Sequence, residues 1–275
     1  MEKIRTIIKP PSSISINVKE LWQYRELLYF FTWRDIKVKY KQTVLGIFWA
    51  LLQPLALMLI FVLIFSRSSI AQTNSNLPYP LFVLSGLVIW NLFHSSVAHA
   101  ADSMVVNSNI IKKIYFPRLI IPISTIFSAL IDFVIAFIIL IFFLLFYQQP
   151  VHLQAIIFFP AAIILCLITA FGLGTLLSAL NVKFRDFRYA LPFFLQLLFF
   201  ATQIIYPVSI IKEQWLKYIF ALNPMNAVIA LFRHSITNEP LDMILVFTGV
   251  LTAFLLAIIG LLYFKKTESY FADIV

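Results

Sequence analysis

The sequence predicts an all-α integral membrane protein: an N-terminal amphipathic interface helix, six transmembrane helices, and a re-entrant helical hairpin before the last span. Three observations carry that fold class. Hydrophobic residues make up 61% of the 275 and charged residues only 12%, against about 45–50% and about 25% in soluble domains. The apolar residues fall in runs long enough to cross a bilayer core, which needs about 20 helical residues. The Lys and Arg residues collect on alternate sides of those runs, as the positive-inside rule requires.

The N-terminal segment, residues 1–43, is strongly charged and opens irregularly around Pro10-Pro11 and Ser12-Ser13. Val18, Leu21, Trp22, Leu28 and Phe31 then return at helical spacing, with Lys19, Glu20, Gln23 and Glu26 on much of the other side. Trp22, Tyr24, Trp33 and Tyr40 favour the headgroup region, so this helix is expected to lie in the interface. The alternative is a solvated helix that merely precedes a span. No cleavable leader is expected, since the first apolar run is too long for a signal-peptide core.

Five runs easily meet the length of a span: about 44–66, 81–101, 119–147, 155–180 and 241–264. A sixth, about 190–208, is shorter but free of charge. Hydrophobicity on all sides, without period-2 alternation, favours helices over barrel strands. The segment about 212–237 is apolar too, but Asn223-Pro224 breaks its middle. Proline removes a backbone donor and disfavours helix in the residue before it. A re-entrant hairpin follows, tolerated where protein or a wet cavity covers the break. With six spans and a cytoplasmic N-terminus, 17 of the 21 Lys and Arg lie inside and four outside. A seventh span would strand Lys265 and Lys266 on the wrong side. The spanning domain is therefore 44–264, and 265–275 is a cytoplasmic tail.

Several chemistries find no support. There is no GxxxxGK[ST] phosphate loop, no HExxH, no CxxC and no GxSxG. Cys166 is the only cysteine, which excludes a disulfide scaffold. His94 and His99 are five apart, a poor spacing for metal on one helix face. Asp132 is the one ionisable residue well inside a span. Such carboxylates are costly and often functional, yet no intramembrane Lys or Arg is evident to pair with it. Both a structural hydrogen-bonding role and a place in a transport path remain open.

The informative residues lie at the cytoplasmic ends. Trp33-Arg34-Asp35-Ile36-Lys37-Val38-Lys39-Tyr40 leads into Gln42-Thr43-Val44-Leu45-Gly46-Ile47-Phe48-Trp49. Ile110-Ile111-Lys112-Lys113-Ile114-Tyr115-Phe116-Pro117-Arg118 joins spans two and three, and Asn181-Val182-Lys183-Phe184-Arg185-Asp186 follows span four. With the Asn223-Pro224-Met225 break, these stretches resemble the permease subunit of type-2 polysaccharide ABC exporters, which export O-antigen, capsule or teichoic-acid polymers. The resemblance covers nearly the whole chain.

It implies a homodimer in the bacterial inner membrane with both termini cytoplasmic. Two copies of a separate ATPase subunit would bind ATP and Mg, so this chain would be non-catalytic and need no cofactor. The cargo would be a lipid-linked polysaccharide; membrane lipid is the other partner, and nucleic acid is not one. A coupling helix is expected at about 103–114. Lys112, Lys113, Tyr115, Phe116, Arg185 and Asp186 are the candidates for ATPase coupling, with Tyr115 and Phe116 wedged between the ATPase and the membrane. Arg185 and Asp186 are possible partners for Asp35 and Arg34. Spans one and five are expected to line the channel, which makes Phe48, Gln53, Phe199, Gln203 and Tyr206 the substrate-path candidates. Competing readings are an exporter of a small hydrophobic molecule or drug, a membrane glycan or lipid transferase, and a secondary transporter. A transferase would need a cluster of acids, histidines or metal ligands at one membrane face, which this sequence lacks. Asp132 alone does not sustain a secondary transporter.

Overall fold

A computed structural model of the chain describes residues 18–41, 46, 48–67, 77–184, 186–211, 213–237, 240–268 and 271. Among these the secondary structure is helical throughout, with no strand. In order the helices are α1 (Val18–Gln23), α2 (Arg25–Lys41), α3 (Phe48–Phe65), α4 (Tyr79–Val106) and α5 (Ser108–Ile111). They continue with α6 (Ile120–Phe146), α7 (Ala155–Lys183), α8 (Asp186–Phe200), α9 (Gln214–Leu222), α10 (Pro224–Thr237) and α11 (Met243–Thr267).

α3, α4, α6, α7 and α11 are each long and apolar enough to cross a membrane. The run at about 190–208 read from the sequence is helical only as α8, whose 15 residues span about 22 Å at 1.5 Å per residue. Its remainder, from Ala201, unwinds into turns. α9 and α10 form the broken pair, bent by 91° at Asn223.

α4 is the centre of the bundle: from Leu81 to Phe93 nearly every side chain except Asn91 is buried. It packs along α6 and α7, α7 packs along α11, and α10 wedges between α7 and α11. The outer helices keep Leu, Ile and Phe exposed on their outward faces, as lipid-facing surface requires. At the α7–α11 crossing a Cβ on Gly260 would sit 2.1 Å from the Gly172 carbonyl oxygen. Only glycine lets these backbones approach so closely, a common device where helices pack in lipid.

α2 does not lie apart from the spans. Thr32 Oγ1 lies 3.5 Å from the Ser124 carbonyl, and eight residues further along both helices Tyr40 reaches Asp132. The equal advance means that α2 runs parallel to α6 and packs against it. Its outward side carries Tyr29, Phe30 and Trp33, all exposed, as is Trp22 of α1, with Tyr29 and Trp33 stacked at 6.4 Å. Those rings suit a headgroup boundary.

A second apolar cluster closes the end of the bundle that carries the N-terminal helices. Phe31 of α2, Ile111 of α5, Phe116, Val182 of α7, Phe264 of α11 and Phe271 are buried together. Phe31 packs on Phe116 at 5.8 Å and Phe264 on Phe271 at 5.1 Å between ring centroids. α2, the α5 segment, α7 and the α11 segment are thus joined at this end, the basic end of the bundle.

Candidate functional site

Two places in the bundle combine chemistry with access. The first is a cavity of about 410 Å³ between the end of α2, the start of α3, α4 and α6. Its wall is polar although it sits among apolar helices. Lys39, Gln53, Asn91, His94, His99 and Asp132 all line it, with Trp49 and Phe133 as apolar panels. His99 Nδ1 lies 2.7 Å from the Ser95 carbonyl oxygen, which ties that ring to its own helix.

Asp132 has partners that the apolar run around it does not reveal. Its two carboxylate oxygens accept one bond each, from the Lys39 ammonium and from the Tyr40 hydroxyl. Asp132 lies twelve residues into α6, about 18 Å from its start. The expectation that no base is at hand to pair with it is therefore corrected. Lys39 belongs to the N-terminal segment in sequence, but the parallel course of α2 carries it along the span. Gln53 is the one substrate-path candidate that lines this cavity. Phe48 faces outward at the start of α3. Phe199 packs edge-on against Trp90 at 5.6 Å and stacks on Phe61 at 6.1 Å. The Tyr206 hydroxyl donates to the Phe200 carbonyl.

Gln203 is buried in a polar clasp that holds two helix breaks together. Asn226 Oδ1 accepts from Gln203 N at 2.8 Å, and Gln203 Nε2 donates to the Asn226 carbonyl at 2.6 Å. Asn226 Nδ2 donates to the carbonyls of Phe220 (2.8 Å) and Ala201 (3.2 Å). Asn223 Nδ2 donates to Thr202 Oγ1, and Asn223 Oδ1 accepts from Met225 N to start α10. Backbone groups freed at an interrupted helix must find partners away from water. Two asparagines supply them for both the α8 end and the α9–α10 bend.

The second place is the loop after α4. The expected coupling helix at 103–114 is shorter: residues 103–106 continue α4, and only Ser108–Ile111 forms a separate turn. Ser103 Oγ donates to the Ala100 carbonyl and Asn107 Nδ2 to the Ser103 carbonyl, so these polar residues end the helix rather than dissolve it. Lys112, Lys113 and Tyr115 are exposed, Tyr115 at 70%. What burial it has, then the carboxylates of Glu20 and Glu268, pushes the Tyr115 phenol above its ordinary range. Phe116 is only 4% exposed. It faces inward, against Phe31, so the expectation that both rings stand clear is corrected: of the two, only Tyr115 is exposed.

Arg185 lies outside the described residues. Asp186 is exposed at the start of α8. The expected Arg34–Asp186 pair is not made: Arg34 instead forks onto its neighbour Asp35 at 2.7 Å and lies over the Phe31 ring. The VKFRD region is tied back through other residues. Asn181 Nδ2 donates to the Ala101 carbonyl at 2.9 Å, and Arg188 pairs with Asp102 at 3.5 Å. The 117–118 corner is fixed by Glu268, which accepts from Arg118 N at 3.2 Å and pairs with Lys265 at 2.7 Å.

An all-helical bundle with five span-length apolar helices, a broken helix pair and an exposed loop at the basic end defines a multi-pass membrane protein. Residues 26–237 match the ABC-2 type transporter family, and the chain belongs to that family. It is 32% identical over 249 residues, 90% of this chain and 95% of the relative, to the O-antigen export system permease protein RfbA of Klebsiella pneumoniae. The RfbA permease of Myxococcus xanthus is 33% identical over 211 residues, 76% of this chain and 79% of its own. The polysialic acid transport protein KpsM of Escherichia coli is 26% identical over 211 residues, 74% of this chain and 78% of its own.

Proposed function

We propose that this chain is the channel-forming permease subunit of an ATP-driven exporter that moves a lipid-linked polysaccharide, such as O-antigen, from cytoplasm to periplasm. The observation that carries the proposal is the similarity to O-antigen export permeases along 90% of the chain. The protein works as a homodimer in the bacterial inner membrane, with two copies of a separate ATPase subunit that hold ATP and Mg. The basic end faces the cytoplasm, in keeping with the excess of Lys and Arg there. Lys112, Lys113 and Tyr115 stand clear of the bundle as the docking surface for the ATPase.

The polar cavity favours this cargo over a small hydrophobic molecule. Amide, imidazole and hydroxyl groups in its wall suit a hydrated glycan or its headgroup, while a greasy cargo would leave those groups unpaired. The test is genetic and then biochemical. Loss of the gene is expected to leave polysaccharide inside the cell, and the gene with its ATPase partner to restore it to the surface. Proteoliposomes holding both subunits should export the glycan on ATP addition. Export by this chain without an ATPase subunit would overturn the reading.

A further inference from the structure

The Lys39–Tyr40–Asp132 contact is unusual in its setting. An ion pair set partly among apolar helices carries a desolvation cost, and apolar residues of similar size would join α2 to α6 at least as well. The pair is also unevenly sheltered. The Lys39 side chain keeps 40% of its surface exposed and Asp132 only 17%, and both border the cavity. Two donors, an ammonium and a phenol, converge on the two oxygens of one carboxylate. That is the arrangement that would grip two oxygens of a phosphate. Asp132 is the only carboxylate in the cavity wall among the described residues. Gln53, Asn91 and Ser95 stand beside it with further hydrogen-bonding groups.

We propose that Lys39 and Tyr40 form an anion site whose ligand is the phosphate or diphosphate group of the lipid-linked substrate, with Asp132 as a built-in competitor that occupies the site when it is empty. This rests on the lipid-linked reading above and adds the group that is recognised. The incoming anion takes Lys39 and Tyr40 from Asp132, so the end of α2 is released from α6 at the same cavity that admits the cargo. No covalent step is involved, only exchange of one anion for another on two donors.

Competition makes a prediction that a purely structural latch does not. The complex of this chain with its ATPase is placed in nanodiscs of phosphatidylcholine. An environment-sensitive dye is attached at Val38→Cys, in a Cys166→Ala background; Val38 is exposed on α2 and Cys166 is buried. Farnesyl diphosphate is titrated, with inorganic diphosphate and farnesol as separate arms. Lys39→Gln is expected to weaken binding of farnesyl diphosphate at least tenfold, and Asp132→Asn to tighten it at least threefold. Farnesol should give no response. Inorganic diphosphate as tight as the farnesyl compound would assign the site to free phosphate, and much weaker binding to a lipid headgroup; either keeps the anion chemistry. If Asp132→Asn loses its ATPase partner on purification, Tyr40→Phe decides, with weaker binding expected. No binding by the unsubstituted protein, no effect of Lys39→Gln, or weakening by Asp132→Asn equal to that by Lys39→Gln overturns the site. Polysaccharide export in the complemented deletion strain checks the underlying function separately, so the site can fail while that reading stands.

Discussion

Arg233 and Lys39 are both cations held within the helical bundle, and the protein treats them in opposite ways. Arg233 is 6% exposed. Its Nη2 donates to the carbonyls of Phe82 and Ile204, each at 2.9 Å, and its guanidinium lies 3.4 Å over the Phe82 ring. Lys39 is half in the open and meets one side-chain carboxylate. The Phe82 carbonyl is fixed within α4 and the Ile204 carbonyl in the clasped turn after α8, whereas a side-chain carboxylate can turn aside. The first cation is a rivet between α4, α10 and the turn after α8; the second is a fastening that can be undone. Gly86 belongs with the rivet, since a Cβ there would stand 2.9 Å from Arg233 Nη2 and 3.1 Å from the Ile204 backbone.

The sharpest way to break the comparison is to remove the rivet. Arg233→Ala takes the donor from the Ile204 carbonyl, at about 1–3 kcal/mol, and removes the stacking on Phe82, although the Phe82 carbonyl keeps its bond from Ser85 Oγ. The yield of folded, monodisperse protein in detergent chromatography is expected to collapse. Arg233→Lys should not restore it, because an ammonium lacks the planar fork and the ring stacking. Full recovery with lysine would mean that the charge alone matters and that Arg233 is not a rivet.

Asn226→Ala comes next. It removes one acceptor and two donor bonds from the clasp between the two breaks, for an expected loss of about 2–3 kcal/mol. A drop in melting temperature of the purified complex measures it. An unchanged melting temperature would show that the breaks hold themselves.

Asp132→Asn is expected to cost under about 1 kcal/mol, since the pair is partly exposed and the amide still accepts from Tyr40. Its melting temperature should stay within a few degrees of the parent. A collapse like that of Arg233→Ala would make Asp132 a second rivet and erase the contrast.

The sequence made the spans legible because each is long and apolar, and the re-entrant break because Asn223-Pro224 punctuates it. It did not reveal the site around Asp132. That residue's partners lie 92 and 93 positions earlier, and only the parallel course of α2 along α6 joins them. A signal was present all the same: an intramembrane carboxylate implies a partner, and Lys39 and Tyr40 lie just before the first span. Phe116 was misread for the same reason, because Phe31, which covers it, is distant in the chain. Ser103 to Val106 were expected to open the coupling helix, yet they continue α4. Gln203 was a channel candidate through the family resemblance, but only the fold shows that its amide donates to the Asn226 carbonyl.

The smallest effect on stability is expected at Tyr115, and it is informative because Phe116 beside it behaves in the opposite way. Phe116→Ala empties a site between Phe31 and the end of α7, at about 3–5 kcal/mol, so it should disturb the fold of the basic end. Tyr115→Ala touches an exposed ring, and its stability should stay within about 0.5 kcal/mol of the parent. If the docking role proposed for this loop holds, Tyr115→Ala nonetheless weakens capture of the ATPase subunit, or leaves ATP hydrolysis running while export falls. The two variants are compared by melting temperature, by co-purification of the ATPase and by surface polysaccharide. A stable Tyr115→Ala complex with full export would move the docking contact off Tyr115, onto Lys112, Lys113 or the exposed start of α8 at Asp186. Phe116→Ala could not give that answer, because loss of export there would follow from loss of the cluster that joins α2, α5, α7 and α11.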